Sequence, residues 1–421
     1  MRTAWKVCLT LCLALCLAGP AAAGEVDTLV EKLVEKGILS RQDAVEILTE
    51  VREAARQEHA QTVAEVRQAV ASDVAARVVD LPRWISNTHV KGDFRLRYQM
   101  NDRRRSTDRH RGRYRLRVGV VTEVTDQVHV GFGVATGGSD PRSTNQSMTN
   151  SFESPDLRLD YAYVSYRPFG WLKLTGGKFK NPLWVTTDLL WDSDIRPEGV
   201  SLQADWKASE WLGLFVNGGF WVLDERSSEE SDPSMAVLQP GAVIDMTDRL
   251  RLKMAATYYN FANVRGGLLD HSAGSNTINA VTGGLAHDYD AVSLAAELGL
   301  RGVSDLVPYC GVFGEYVSNL QTSSDDAGFA AGLCVGHKKV RKRHQWQLKG
   351  LYRRLERDAW LDIFPDSDAY GGATNVKGWE FIATYAVFNN VSLSLDYYYM
   401  ENIRGPEVAE NILQLDLNVT F

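Results

Sequence analysis

The sequence predicts an all-β fold: a 16-stranded antiparallel transmembrane β-barrel, preceded by a short α-helical N-terminal segment with a coiled-coil pattern. Polar and apolar residues alternate from about residue 88 to the C-terminus, as in strands that bury one face in an apolar phase. The connections between these segments alternate between short and long, which is typical of barrels with tight turns at one rim and loops at the other. Before residue 81 the apolar residues recur every three or four positions instead, which indicates helix.

The composition excludes several classes of protein. With 53 acidic and 46 basic residues the formal net charge is −7, whereas a nucleic-acid partner requires an excess of Lys and Arg to neutralise phosphates. No apolar run reaches the roughly 18 residues of a membrane-spanning helix, so a bundle of such helices is excluded. The composition does not exclude a transmembrane barrel, because the alternating strands of such a barrel give it the bulk composition of a soluble protein.

Residues 1–23 have the three parts of a secretory signal peptide. Arg2 and Lys6 supply a charged start, residues 7–18 an apolar core that is too short to span a bilayer, and Ala21-Ala22-Ala23 a cleavage site of small residues. We expect cleavage after Ala23. Three of the five cysteines leave with the signal.

The two remaining cysteines, Cys310 and Cys334, lie on predicted neighbouring strands. They permit either one cross-strand disulfide or two small apolar residues in the wall, and they do not have the spacing of metal ligands.

Residues 24–80 predict a helical segment. Ser40-Arg41-Gln42-Asp43 has the form of a helix start after Gly37. Val45, Leu48 and Val51 begin an apolar stripe at helical spacing. Two interpretations stay open, a periplasmic and trimeric coiled coil or a solvated helix without a partner, because polar residues interrupt the stripe.

Residues 81–421 form the predicted barrel. Sixteen segments alternate with period two, at about 88–100, 111–125, 127–136, 157–168, 171–180, 199–206, 211–223, 234–245, 250–261, 288–300, 306–318, 326–337, 343–356, 377–388, 391–403 and 411–421. An even strand number, short turns at the periplasmic rim and long loops at the other rim are the features of an outer-membrane barrel. The terminal aromatic Phe421 closes the last strand and is expected to be the signal that the barrel-assembly machinery reads.

The predicted inner face is polar and the outer face is apolar. Sixteen strands enclose a lumen wide enough for water, so we expect a pore for passive diffusion of small hydrophilic solutes and ions. One alternative is a structural barrel that anchors the helical segment to the outer membrane. Another is an outer-membrane enzyme, but none of the eight His residues stands in a nucleophile–base motif, and we expect no cofactor or metal.

A charged constriction is predicted inside the pore. The loop at 181–198 carries two Trp and three Leu, which an exposed loop does not need but one packed inside the wall does; packing over the rim or against another subunit is the alternative. The predicted pore-lining residues are Arg95, Arg97, Arg113, Arg115 and Arg117 of the first two strands and Asp188, Asp192, Asp194 and Glu198 of the loop. We expect Asp188, Asp192 and Asp194 to face the arginines, although a solvated wall without a selectivity role is also open.

Several segments resemble the bacterial outer-membrane "putative porin" family. They are residues 92–98 (GDFRLRY), 113–117 (RYRLR), 140–146 (DPRSTNQ), 177–182 (GKFKNP), 188–194 (DLLWDSD) and 197–199 (PEG), with 33–40 (LVEKGILS) ahead of the barrel. The resemblance implies an outer-membrane pore without catalytic residues, in contact with outer-membrane lipid and permeable to small solutes. By analogy with other sixteen-stranded pores, we also expect a homotrimer.

Overall fold

Residues 32–38, 40–79, 82–227 and 230–421 are described in a computed structural model of the protein. They form two compact units, which divide between Pro82 and Arg83. The predicted signal peptide lies outside the described residues.

The first unit contains helix α1, Arg41–Val79. Its start has the predicted capping geometry, since the Asp43 backbone N–H donates to Ser40 Oγ at 3.2 Å and Ser40 Oγ donates to Asp43 Oδ2 at 2.7 Å. Val45, on the predicted apolar stripe, is exposed, and so is Val66 farther along the helix. Among the described helices, none combines the length and the hydropathy needed to cross a membrane.

The second unit begins with the short helix α2, Arg83–Ser86, and continues as sixteen long strands. These are β1 Thr88–Arg103, β2 Arg109–Glu123, β3 Val128–Ala135, β4 Arg158–Phe169, β5 Leu172–Lys178, β6 Glu198–Lys207, β7 Leu212–Val222, β8 Ser234–Asp245, β9 Leu250–Ala262, β10 Ala291–Arg301, β11 Tyr309–Asn319, β12 Ala327–Gly336, β13 Trp346–Leu355, β14 Val376–Phe388, β15 Val391–Asn402 and β16 Ala409–Thr420. A two-residue strand, Gln146–Ser147, pairs beside β2. The prediction of a 16-stranded all-β barrel is confirmed.

The sheet closes on itself. Each strand pairs antiparallel with the next, and β1 pairs with β16 in a register that runs from Asp93↔Thr420 to Arg103↔Glu410. The seam ends in two reciprocal backbone bonds, from Phe421 N to Gly92 O at 3.0 Å and from Gly92 N to Phe421 O at 2.9 Å. Closure gives the first and last strands a partner, as a sheet that stands in a bilayer requires.

The connections segregate by length, as predicted. Tight turns such as 170–171 and 389–390 lie at one end, which we call the short-turn rim. At the second, Asn390 adopts a φ of 63°, a conformation that Asn tolerates in two-residue hairpin turns. The longest connections, 136–157, 179–197, 263–290 and 356–375, all belong to the opposite end, the long-loop rim.

The outer surface is apolar, with aromatic residues near the rims. Phe94, Leu96 and Tyr98 of β1 are each at least 37% exposed although they are hydrophobic. Trp171 and Trp206 are exposed near the short-turn rim, where aromatic side chains of a barrel meet the membrane–water interface.

Cys310 and Cys334 are both free. In the β11–β12 register Cys310 pairs with Val335 and Cys334 pairs with Gly311. Because successive side chains of a strand point to opposite faces, this one-residue offset places the two thiols on opposite sides of the wall. The register therefore opposes a disulfide between them.

Part of the barrel interior is a dry core. Apolar residues of loops 179–197, 263–290 and 356–375 pack against the long-loop half of β7–β13. Trp191 lies at its centre, 3% exposed, with its ring 4.5 Å from that of Phe364 and 5.8 Å from that of Trp360. The loop at 181–198 thus folds into the barrel, and Trp360 Nε1 donates to Leu190 O at 2.8 Å to tie it to loop 356–375.

This core corrects the expectation of a polar inner face all around the barrel. Inward residues of β9 such as Tyr259 and Phe261 are fully or almost fully buried. The period-two pattern identifies which residues face inward, but the apolar loops that cover them come from distant parts of the chain. The space that remains open in the lumen is correspondingly narrower than the lumen expected from the strand number alone.

We predict that Phe421→Asp lowers the fraction of refolded protein that migrates as a heat-modifiable barrel in electrophoresis. The ring packs over Gly92, where an added Cβ would lie 2.5 Å from Phe421 Cε2, so a charged side chain would disrupt the seam and carry charge into an apolar band. Phe421→Tyr is the matched control and should fold normally. Unchanged migration of the Asp variant would contradict a role of Phe421 in closure.

Candidate pore constriction

The five predicted arginines lie together on the inner wall and form what we call the arginine ladder (Arg95, Arg97, Arg113, Arg115 and Arg117). The β1–β2 register pairs Arg95 with Arg115 and Arg97 with Arg113. Like charges side by side on a sheet repel each other, and burial makes each charge costly unless it is paired. The ladder therefore requires acidic partners.

Acids of the same wall supply part of that pairing. Asp416 on β16 binds Arg97 with both oxygens, at 2.7 Å to Nε and 2.8 Å to Nη2. Asp93 on β1 bridges two arginines, at 2.8 Å to Arg115 Nη2 and 2.8 Å to Arg117 Nε. Two-point contacts of this kind fix the planes of the guanidinium groups.

Asp194 brings the inward loop to the ladder. Its Oδ1 lies 2.9 Å from Arg117 Nη1, while Oδ2 accepts bonds from Thr144 N at 2.9 Å and Thr144 Oγ1 at 2.7 Å. Burial opposes ionisation, but Arg117, Arg115 and the Thr144 bonds outweigh it and hold the pKa of Asp194 below its usual value. Asp194 is thus a charged group opposite the ladder.

Asp192 lies beside Asp194 but in a different state. Its carboxylate accepts the backbone N–H groups of Asp194 at 2.8 Å and Ser367 at 2.9 Å. Burial and the neighbouring Asp194 charge together raise the pKa of Asp192 to about 8. The charged form of its carboxyl group is therefore disfavoured relative to that of Asp194.

Asp188 and Glu198 lie away from the ladder. Asp188 Oδ1 is 2.7 Å from Nη2 of Arg353 on β13, because the first half of the loop crosses toward β11–β13 before its second half reaches β2. Glu198 begins β6 and lies 2.5 Å from Lys178 Nζ with 60% of its side chain exposed. The path of the loop depends on packing against strands that are distant in sequence, so the expectation that Asp188 faces the arginines does not hold. Glu198, which was expected to line the constriction, pairs with Lys178 instead.

Loop 356–375 supplies acids that the sequence analysis did not assign. Asp368 lies 2.8 Å from Arg97 Nη1 and 3.9 Å from Arg113 Nη1. Burial opposes its ionisation, but both arginines lower the pKa of Asp368 to about 2. A signal was present, because residues 358–368 mix Asp with Trp, Leu, Ile and Phe in the same way as residues 183–194.

A cavity of about 680 Å³ lies between loop 179–197 and the inner wall of β1–β6. Asp93 and Arg117 line one side of it, and Asp192 and Arg196 line the loop side. Since the apolar core occupies the β7–β13 side, this cavity is the part of the interior next to the ladder that charged side chains line. Among the described residues, no cluster of His, Cys, Asp and Glu is arranged to hold a metal ion.

Comparison with known proteins agrees with this architecture. The sequence matches the family described as "Putative porin" over residues 101–290 and 276–421, which together cover most of the chain. Among curated proteins, none matches it significantly.

Solved structures with a similar fold include outer-membrane porins. Pseudomonas putida OprB at high pH is 10% identical, with a TM-score of 0.53 over 80% of this chain and 94% of that chain. A variant of the Rhodopseudomonas blastica porin is 12% identical, with a TM-score of 0.46 over 79% of this chain and 100% of that chain. The likeness to OprB concerns the fold. The family match extends over well more than half of the sequence, and the chain therefore belongs to the "Putative porin" family of outer-membrane β-barrel channels.

Proposed function

We propose that the protein lets small hydrophilic solutes and ions diffuse along the inner wall of β1–β6, past a constriction formed by the arginine ladder and the inward loop. The observation that carries the proposal is the 2.9 Å contact between Asp194 and Arg117 beside the cavity of about 680 Å³. Charges of both signs face each other there, next to a cavity that further charged side chains line.

Opposite charges on facing walls produce a field across the path. Low-dielectric walls focus such a field, and salt near 0.15 M screens it beyond about 8 Å. The field acts on a solute only where the path is narrow, so it orders water and sorts solutes by charge at the constriction. Asp93 and Asp416, which lie on the same wall as the arginine ladder, neutralise part of its charge. We therefore expect a moderate rather than an absolute discrimination between cations and anions.

We also propose a route by which the protein is secreted, inserted into the outer membrane and assembled. A signal peptide cleaved after Ala23 directs secretion, the barrel-assembly machinery recognises the strand that ends at Phe421, and residues 24–80 lie in the periplasm. The helical segment joins three copies into a homotrimer as a coiled coil.

A structural barrel that anchors the helical segment is the second candidate. The dry core favours it, because Trp191, Trp360 and Phe364 fill much of the long-loop half of the lumen. Steady single-channel current of the mature protein in a planar bilayer supports the pore, and its absence supports the anchor.

We predict opposite shifts of ion selectivity for two double variants. Arg113→Gln with Arg115→Gln should favour cations, and Asp192→Asn with Asp194→Asn should favour anions, each changing the permeability ratio about threefold, as expected from partly screened charges near an ion. The measurement is the reversal potential in a tenfold KCl gradient, and both shifts should fade at high salt.

Lys349→Gln is the matched control for these variants, because Lys349 lies over the ring of Phe313 on the other side of the lumen, 5.2 Å from its centroid. Heat-modifiable migration verifies that each variant is folded. Reversal potentials equal to wild type in both folded double variants would show that the charges line no constriction.

We predict that selectivity depends on pH through Asp192. Because burial and Asp194 raise the pKa of Asp192 to about 8, raising the pH through that value adds a negative charge and should shift the reversal potential toward cation preference. Asp192→Asn should lose this transition while keeping its open-channel current. A transition of unchanged size in the variant would assign the effect to another group.

We predict that deleting residues 24–80, with the signal peptide retained, leaves a folded and conducting barrel. Every long strand lies after residue 87 and the two compact units divide after Pro82. Electrophoretic migration and bilayer conductance measure the barrel, and cross-linking measures the trimer. Loss of the trimer alone would support the coiled coil, whereas loss of the barrel would contradict the domain boundary.

A further inference from the structure

The cavity between loop 179–197 and β1–β6 has the chemistry of a binding site rather than of a plain water channel. We propose that it binds a small organic anion that carries both a carboxylate and an apolar ring. This inference deepens the proposed function, since it names a class of solute that the pore would hold in transit.

The first observation is a surplus of positive charge. Five cationic side chains line the cavity: Lys91, Arg117, Lys173, Lys180 and Arg196. Three acids line it, and two of them are already engaged, Asp93 by Arg115 and Arg117 and Asp160 by Arg196 at 3.4 Å. The third is Asp192, whose charged form is disfavoured by burial and by the neighbouring Asp194, and whose oxygens already accept the backbone N–H groups of Asp194 and Ser367.

The surplus resides on the three lysines. Within the part of the chain that the structure describes, Lys91, Lys173 and Lys180 form no ion pair with a carboxylate, and Lys173 Nζ donates to the neutral Gln203 Oε1 at 3.3 Å. Burial, Arg196 and Arg117 lower the pKa of Lys180, so a bound anion would relieve an unfavourable charge environment. An incoming carboxylate would supply the missing partner through charge-assisted hydrogen bonds.

The second observation is an aromatic surface in the same cavity as these lysines. Tyr161 and Tyr163 on β4 line the same cavity, with ring centroids 5.8 Å apart. Their rings lie against glycines of β3, where a Cβ added at Gly133 would be 2.5 Å from Tyr161 Cε1 and one added at Gly131 would be 2.5 Å from Tyr163 Cζ. The glycines thus let both rings lie close to the wall and leave the lumen open in front of them.

The two surfaces together define the ligand. An inorganic anion would satisfy the lysines but has no apolar face to cover the tyrosines, and a neutral aromatic molecule would leave the lysines unpaired. A ring placed against tyrosines gains from burial and from ring–ring contact. The cavity volume of about 680 Å³ also lies within the range of small-molecule sites.

The test is calorimetric titration of the detergent-solubilised mature protein with sodium benzoate, sodium acetate and benzyl alcohol. We expect benzoate to bind and both others to bind at least about tenfold more weakly, because each lacks one of two contacts worth about 1.4 kcal/mol or more. Lys173→Gln with Lys180→Gln should weaken benzoate by about tenfold or more, whereas Lys349→Gln, on the other side of the lumen, should bind it as wild type does.

A second pair of variants tests the ring contact. Tyr161→Leu with Tyr163→Leu should weaken benzoate and leave acetate unchanged, and Lys173→Arg with Lys180→Arg should retain benzoate binding, which separates lost charge from misfolding. Equal affinities for benzoate and acetate, or wild-type affinity in the folded Gln double variant, would overturn the proposal.

Planar-bilayer current measured on the same samples separates this inference from the proposed pore. We expect benzoate to reduce the current in a saturable way, with half-block near the calorimetric dissociation constant. Steady current without benzoate binding would contradict the binding site and support the pore. Benzoate binding without current would support the binding site and contradict the pore.

Discussion

The architecture depends on one constraint, that no backbone N–H or C=O group can remain unpaired in the hydrocarbon of a membrane. A sheet meets it only by closing, and the pairing of β1 with β16 closes this one. The reciprocal bonds between Gly92 and Phe421 are the last pair of the seam, so the C-terminal residue completes the wall. Everything else about the interior follows from the circumference that sixteen strands impose.

That circumference leaves more space than strand side chains can fill, and three loops occupy it. The loops bury Trp191 and Trp360 in an apolar core on one side of the lumen. This burial stabilises the loops, which lack the regular backbone hydrogen bonds of a strand. Where a charge enters this interior it is multiply paired, because an unpaired one would cost several kcal/mol. Arg353, 3% exposed, shows this with contacts to Asp188, Asp366 and Glu380.

The strands were predictable because their signal is local. Alternation from Leu413 to Phe421 identifies β16 without knowledge of its neighbours, and the composition of residues 181–198 indicated a loop that folds inward. The remaining features depend on non-local register and packing. The opposite orientation of Cys310 and Cys334, the pairing of Asp188 with Arg353 and the entry of Asp368 into the ladder all require the position of one strand or loop relative to another that is distant in sequence.

The charges of the interior divide into two kinds with different consequences. Asp194 and Asp368 hold loops 179–197 and 356–375 against the arginine ladder. These pairs therefore position the constriction, and removing them alters its shape as well as its field. The lysines of the cavity form no ion pair with a carboxylate among the described residues, and Lys173 donates only to the neutral Gln203 on the neighbouring strand. Their charge is therefore available to a solute, and its removal should change what the pore binds while the loops stay where they are. Selectivity by field and selectivity by binding thus depend on different residues of the same wall.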